Sequence, residues 1–162
     1  STLFPYTTLF RSLVICRSRI YNLSLWQSIE MWWRCIGFVN QDLRVKRRAD
    51  LENAHWEIIW LEVFPFKSKG RLFISGIYRP PSYSTADDTR LEAIIEQAYL
   101  LNKEMILLGD FNIEALNRSK FEKQHLCKGL KTMNFNHLIY VPTRPIGGTC
   151  LDHIFSNQPQ RI

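Results

Sequence analysis

Met105-Ile106-Leu107-Leu108-Gly109-Asp110-Phe111-Asn112 joins an apolar run to a polar tetrapeptide. The four apolar residues predict a short buried strand that ends at Gly109. In extended backbone, residues i and i+2 face the same way, so Asp110 and Asn112 are expected to project together while Phe111 turns into the core. A carboxylate can orient or deprotonate a water, and an amide can steady a phosphoryl oxygen as charge builds on it. Gly-Asp-x-Asn also suits an ordinary turn whose Asp and Asn cap backbone groups, so the tetrapeptide alone does not choose between the two.

Upstream, Glu57 to Phe64 (EIIWLEVF) is apolar on both faces and rich in β-branched and aromatic residues, which predicts a buried strand. Lys67 to Gly70 reads as a polar turn, Arg71 to Tyr78 as the antiparallel partner strand, and Pro80-Pro81 as its stop. Ser84 and Asp87 have the spacing of a capping box, and Leu91, Ile94, Ile95, Ala98 and Leu101 recur at helical intervals, which predicts a helix over Thr85 to Asn102. Downstream, Phe121, Leu126, Leu130 and Met133 mark a second helix. Further strands are expected over Phe135 to Val141 and Cys150 to Phe155, separated by the loop Pro142 to Gly148.

The N-terminal part is different. Ser1 to Ser12 (STLFPYTTLFRS) reads as the conceptual translation of a sequencing adapter, expected to add nothing to a core. Residues 13–42, tryptophan-rich and without a clean helical or alternating period, read as a divergent or frameshifted segment. Residues 43–162 form the expected domain.

With 162 residues, 46% of them apolar and 13% aromatic, the chain can bury the core of one domain. A net charge of +6 suits a polyanionic partner without demanding one. Cys16, Cys35, Cys127 and Cys150 lack zinc-finger spacing and are expected to be reduced and mostly buried. No apolar run reaches the length of a membrane span and no signal peptide is recognisable, so an intracellular location is expected.

Ile77-Tyr78-Arg79-Pro80-Pro81, a helix, Leu108 to Asn112, Pro142-Thr143-Arg144 and the run Cys150 to Asn157 (CLDHIFSN) occur in that order. From about Leu43 to Ile162 this succession resembles the endonuclease of LINE-type (non-LTR) retrotransposons, in the endonuclease/exonuclease/phosphatase superfamily. The resemblance implies an α+β fold, an αββα sandwich of mainly antiparallel sheets with flanking helices, of which this chain would supply a part. It implies a Mg²⁺-dependent hydrolase that nicks DNA, with nuclear action beside a reverse transcriptase domain. At matching positions it implies that Asp110 handles the attacking water, Asn112 and Tyr78 bind the scissile phosphate, and Asp152 orients a catalytic histidine farther downstream. Thr143, Arg79 and Arg144 would lie near the substrate.

Each of these residues also has a plainer reading: Tyr78 packing its ring, Asp152 capping a turn, the arginines meeting solvent. His153 follows Asp152 directly, but neighbours on a strand face opposite ways, so the two are not expected to form a relay. Between Leu13 and Gln41 nothing matches the family's Asn-bearing strand or its metal-binding Glu; Glu30 is the only acidic residue there, in an unrelated context. The Ser-Asp-His motif also has no counterpart. The metal ligands therefore remain unassigned, and the chain is expected to be an inactive fragment. The alternatives are a phosphomonoesterase of the same superfamily and a non-catalytic, basic nucleic-acid-binding remnant.

Overall fold

The computed structural model describes residues 13–16, 26–32, 35–40, 44–64, 70–101, 103–144 and 146–161. The expectations for Ser1 to Ser12 and for a turn at Lys67 to Lys69 lie outside them. Three N-terminal strands, β1 (Leu13–Cys16), β2 (Trp26–Trp32) and β3 (Cys35–Asn40), form an antiparallel sheet in the order β1-β3-β2. Residues 13–42 therefore contain regular structure that their sequence period does not announce.

The second sheet has six strands in the order β4-β5-β6-β7-β9-β8. They are β4 (Arg44–Arg47), β5 (Glu57–Phe64), β6 (Leu72–Tyr78), β7 (Glu104–Asp110), β8 (Asn136–His137) and β9 (Asp152–Ser156). All its pairings are antiparallel except β6 with β7, which run parallel from Leu72 opposite Glu104 to Tyr78 opposite Asp110. A parallel pair cannot close through a hairpin, and helix α1 (Thr85–Tyr99) makes the crossover.

The predicted capping box is present: the Ser84 hydroxyl accepts from the Asp87 N–H and the Asp87 carboxylate accepts from the Ser84 N–H. Leu91, Ile94, Ile95 and Ala98 are buried, but the helix stops at Tyr99 and Leu101 is 39% exposed. The short link to β7 does not leave room for another turn. The second expected helix is two, α2 (Arg118–Phe121) and α3 (His125–Thr132). The strand expected over 135–141 shrinks to β8, which pairs only with the far end of β9 before the chain leaves for the 142–149 loop. No described helix is long and apolar enough to cross a membrane.

The six-stranded sheet is buried on both faces. One face carries Trp60, Phe73, Ile77, Met105, Leu107 and Phe155 against the three helices. The other carries Ile59, Leu61, Val63, Leu72, Ile74 and Ile106. β3 of the first sheet lies close to β5 and β6. The layers are thus helices, large sheet and small sheet, an α+β sandwich with helices on one described side.

Candidate active site

Strand register builds the site. Tyr78, the last residue of β6, lies opposite Asp110, the last of β7, and Asp110 lies opposite Asp152, the first of β9. All three share the face that carries Leu72, Ile106 and Ile154, because side chains alternate along each strand. Neighbouring strands are about 4.8 Å apart, so the row from Tyr78 to Asp152 spans roughly 10 Å at one rim of the sheet. Glu57, the first residue of β5, extends the row beyond Tyr78 and also borders a cleft of about 390 Å³ with Arg47, His55 and Trp56. Sequence reasoning missed Glu57, because only the pairing register places it beside the tyrosine.

Gly109 makes this close packing possible. Its φ of +147° favours glycine, and a Cβ there would stand 1.8 Å from the Ile77 carbonyl oxygen. Past Asp110 the expected alternation fails. Asn112 adopts φ +52°, its N–H donates to Asp110 Oδ1 (3.2 Å) and its Nδ2 donates to the Arg79 carbonyl (2.8 Å). Asn112 therefore ties the loop to the end of β6 through an Asx turn and does not project in parallel with Asp110. Phe111 is buried as expected.

The two arginines separate. Arg79 is only 7% exposed; its Nε and Nη2 meet the Asp88 carboxylate at 2.6 and 3.1 Å, and further N–H groups reach the Phe111 and Tyr83 carbonyls. An expected phosphate ligand is thus a buried brace between β6, α1 and the site loop. Arg144 does reach the rim, where its Nη2 meets Asp110 Oδ2 at 2.8 Å. Thr143 Oγ1 accepts from the backbone N–H groups of Leu151 and Asp152, both at 3.2 Å, which places this hydroxyl beside the start of β9. Among the described residues the Asp152 carboxylate has no hydrogen-bond or ion-pair partner.

His153 faces the helices, away from Asp152. Its Nε2 lies 2.8 Å from the Ile113 carbonyl and its Nδ1 lies 3.0 Å from His137 Nε2, among the rings of Phe111, Phe121 and Phe155. Burial lowers the pKa of both histidines, that of His137 to about 4. Cys127 and Cys150 are buried free thiols, and burial pushes Cys127 up to about 12.

Magnesium would require an oxygen-rich octahedral shell. Among the described residues no group of three or more His, Cys, Asp or Glu side chains is placed to hold a metal ion. Both oxygens of Asp110 are already engaged, by Arg144 and by the Asn112 N–H. The described residues do not fit the ion.

No family model matches the sequence, and no curated protein matches it significantly. Solved structures do resemble the fold. The endonuclease domain of TRAS1, a telomere-specific non-LTR retrotransposon, aligns over 94% of this chain and 75% of its own length, with TM-score 0.72 and 13% identity. The mannosyl-6-phosphatase Bt3783 of Bacteroides thetaiotaomicron aligns over 83% of this chain and 63% of its own, with TM-score 0.58 and 13% identity. An endonuclease/exonuclease/phosphatase family protein from the same organism aligns over 83% and 62%, with TM-score 0.55 and 11% identity. The chain thus spans three quarters of the first and less than two thirds of the other two. A six-stranded mixed sheet, a helical layer and a second sheet, with Gly109-Asp110 at the rim, give this chain the fold of the endonuclease/exonuclease/phosphatase superfamily.

Proposed function

We propose that the rim is a phosphodiester-recognition site of the endonuclease type, that DNA is its ligand, and that the 162-residue chain binds DNA without cleaving it. The observation that carries this reading is the cross-strand row Tyr78, Asp110, Asp152 on one face, joined from a separate loop by Thr143 and Arg144. Hydrolysis of a phosphodiester needs a group for the attacking water, donors for the non-bridging oxygens and an acid for the departing oxygen. Asp110 suits the first role; Tyr78, Thr143, Arg144 and the second N–H of Asn112 suit the second. No described histidine stands in the row to serve as the third: His153 is buried and His137 half-buried on the opposite face, His125 is engaged with Thr89 and Glu92, and His55 lies exposed ahead of β5, on the cleft that Glu57 borders.

The test pairs a mobility shift with a cleavage assay. The chain should retard plasmid DNA with an affinity that falls steeply as salt rises, and with Mg²⁺ it should nick no more than an Asp110→Ala control. Asp110-dependent nicking would preserve the substrate class and remove the proposed inactivity. Asp110-dependent release of phosphate from a monoester, with no shift of DNA, would replace the reading by a phosphomonoesterase.

A further inference from the structure

We infer that Arg144 is the cation of this site, so that the chain holds phosphate through a guanidinium without requiring a divalent ion. The inference rests on the reading of the rim as a phosphodiester site.

Its basis is the balance of donors and acceptors. Asp110, 15% exposed at its side chain, gives one carboxylate oxygen to Arg144 and the other to the Asn112 N–H. Arg144 is 46% exposed and uses one of its five side-chain N–H groups on Asp110; the others make no hydrogen bond among the described residues. A planar guanidinium held by one edge presents its other edge in the geometry that matches two phosphate oxygens. The main chain that carries the arginine is anchored: the Arg144 backbone N–H donates to the Thr149 carbonyl (3.0 Å), and the Gly147 N–H closes a turn onto the Arg144 carbonyl (3.2 Å). Next to it, the Thr143 hydroxyl accepts two backbone N–H groups and keeps its own proton to give.

The donors of Arg144, Thr143 and Asn112 therefore gather around an Asp110 carboxylate that Arg144 neutralises, while Asp152 on β9 and Glu57 on β5 are the other carboxylates of the row. That donor set fits an anion. A divalent ion would have to displace Arg144 from Asp110 and would leave a guanidinium facing it, which the like charges oppose.

Binding of a short fluorescein-labelled DNA duplex, followed by anisotropy at matched ionic strength, tests this. The unaltered chain should bind with dissociation constants within about twofold in EDTA and in Mg²⁺, because no phosphate contact passes through the ion. Arg144→Ala should weaken binding in EDTA by about tenfold or more and make it respond to Mg²⁺, since Asp110 is then released. Arg144→Lys, which keeps the charge and loses the fork, should fall between the two. Circular dichroism checks that each variant is folded. Binding by the unaltered chain that is tenfold or more tighter in Mg²⁺, with Arg144→Ala no different, would overturn the inference and leave the phosphodiester site standing. Absence of binding in both solutions would overturn the phosphodiester reading as well.

Discussion

Gly109 is where a single atom decides whether the site exists. A methyl group at this position would meet the Ile77 carbonyl at 1.8 Å while φ stays at +147°. Neither problem can be relieved without separating β6 from β7, so Gly109→Ala should cost roughly 3 kcal/mol or more in urea unfolding. A loss below about 0.5 kcal/mol would mean that the two strands are not so closely apposed. The histidine pair makes a prediction about acid. A carbonyl can only accept, so His153 carries its proton on Nε2 and accepts at Nδ1 from His137, whose own Nδ1 is buried without a hydrogen-bond partner among the described residues. His137, at about 4, lies below its ordinary 6.5, so between these values the unfolded chain takes up a proton that the folded chain refuses. Stability should be fully present above about pH 6.5 and decline as pH falls toward 4. His137→Phe should flatten that decline; an unchanged slope in the urea midpoint would show that the pair does not exclude protons. The surface carboxylates Asp50, Asp87 and Glu122, held low by their hydrogen-bonded partners, keep their small contributions through most of this window and lose them as pH falls below their ordinary values of 3.8 and 4.5.

Between elements, the bond that matters most is the buried one from Arg79 to Asp88. It joins the end of β6 to the first turn of α1, and the same guanidinium reaches the Phe111 carbonyl in the site loop. Asp88→Ala would strand a buried charge and should cost about 3–5 kcal/mol, against about 1 kcal/mol for Ser84→Ala, which removes only the helix cap. Similar small losses in the two variants, measured by thermal unfolding, would contradict the bracing role. This pair also marks a boundary of what could be read in advance. β5, β6, β7 and α1 were legible because each carries its apolar pattern locally, and the motifs at Asp110, Arg144 and Asp152 were legible as candidates. Three things were not. Asn112 broke the alternation because a positive φ follows Asp110; Arg79 found an internal carboxylate that no spacing links to it; and β1 to β3 lack the period that would announce them.

At the scale of the whole molecule, the question is whether residues 43–162 stand alone, as the sequence boundary suggests. Ile59, Leu61, Val63, Leu72, Ile74 and Ile106 form the face of the large sheet turned away from the helices, and each is at most 3% exposed. β3 of the first sheet comes close to β5 and β6, two of the strands that build that face, and the alignment with the TRAS1 endonuclease domain covers 94% of the chain, more than residues 43–162 comprise. Full burial of one such side chain is worth about 1.5–3 kcal/mol, so six give roughly 9–18 kcal/mol before strain and entropy are counted. That is as large as the whole stability of a typical domain, about 5–15 kcal/mol. A chain cut to residues 43–162 should therefore lose its cooperative transition, bind a hydrophobic dye and associate through the uncovered face, while the 162-residue chain melts in one step. If the shortened chain instead stays monomeric and melts at the same temperature as the long one, the first three strands contribute nothing to the core, and the sheet face must be covered from within residues 43–162.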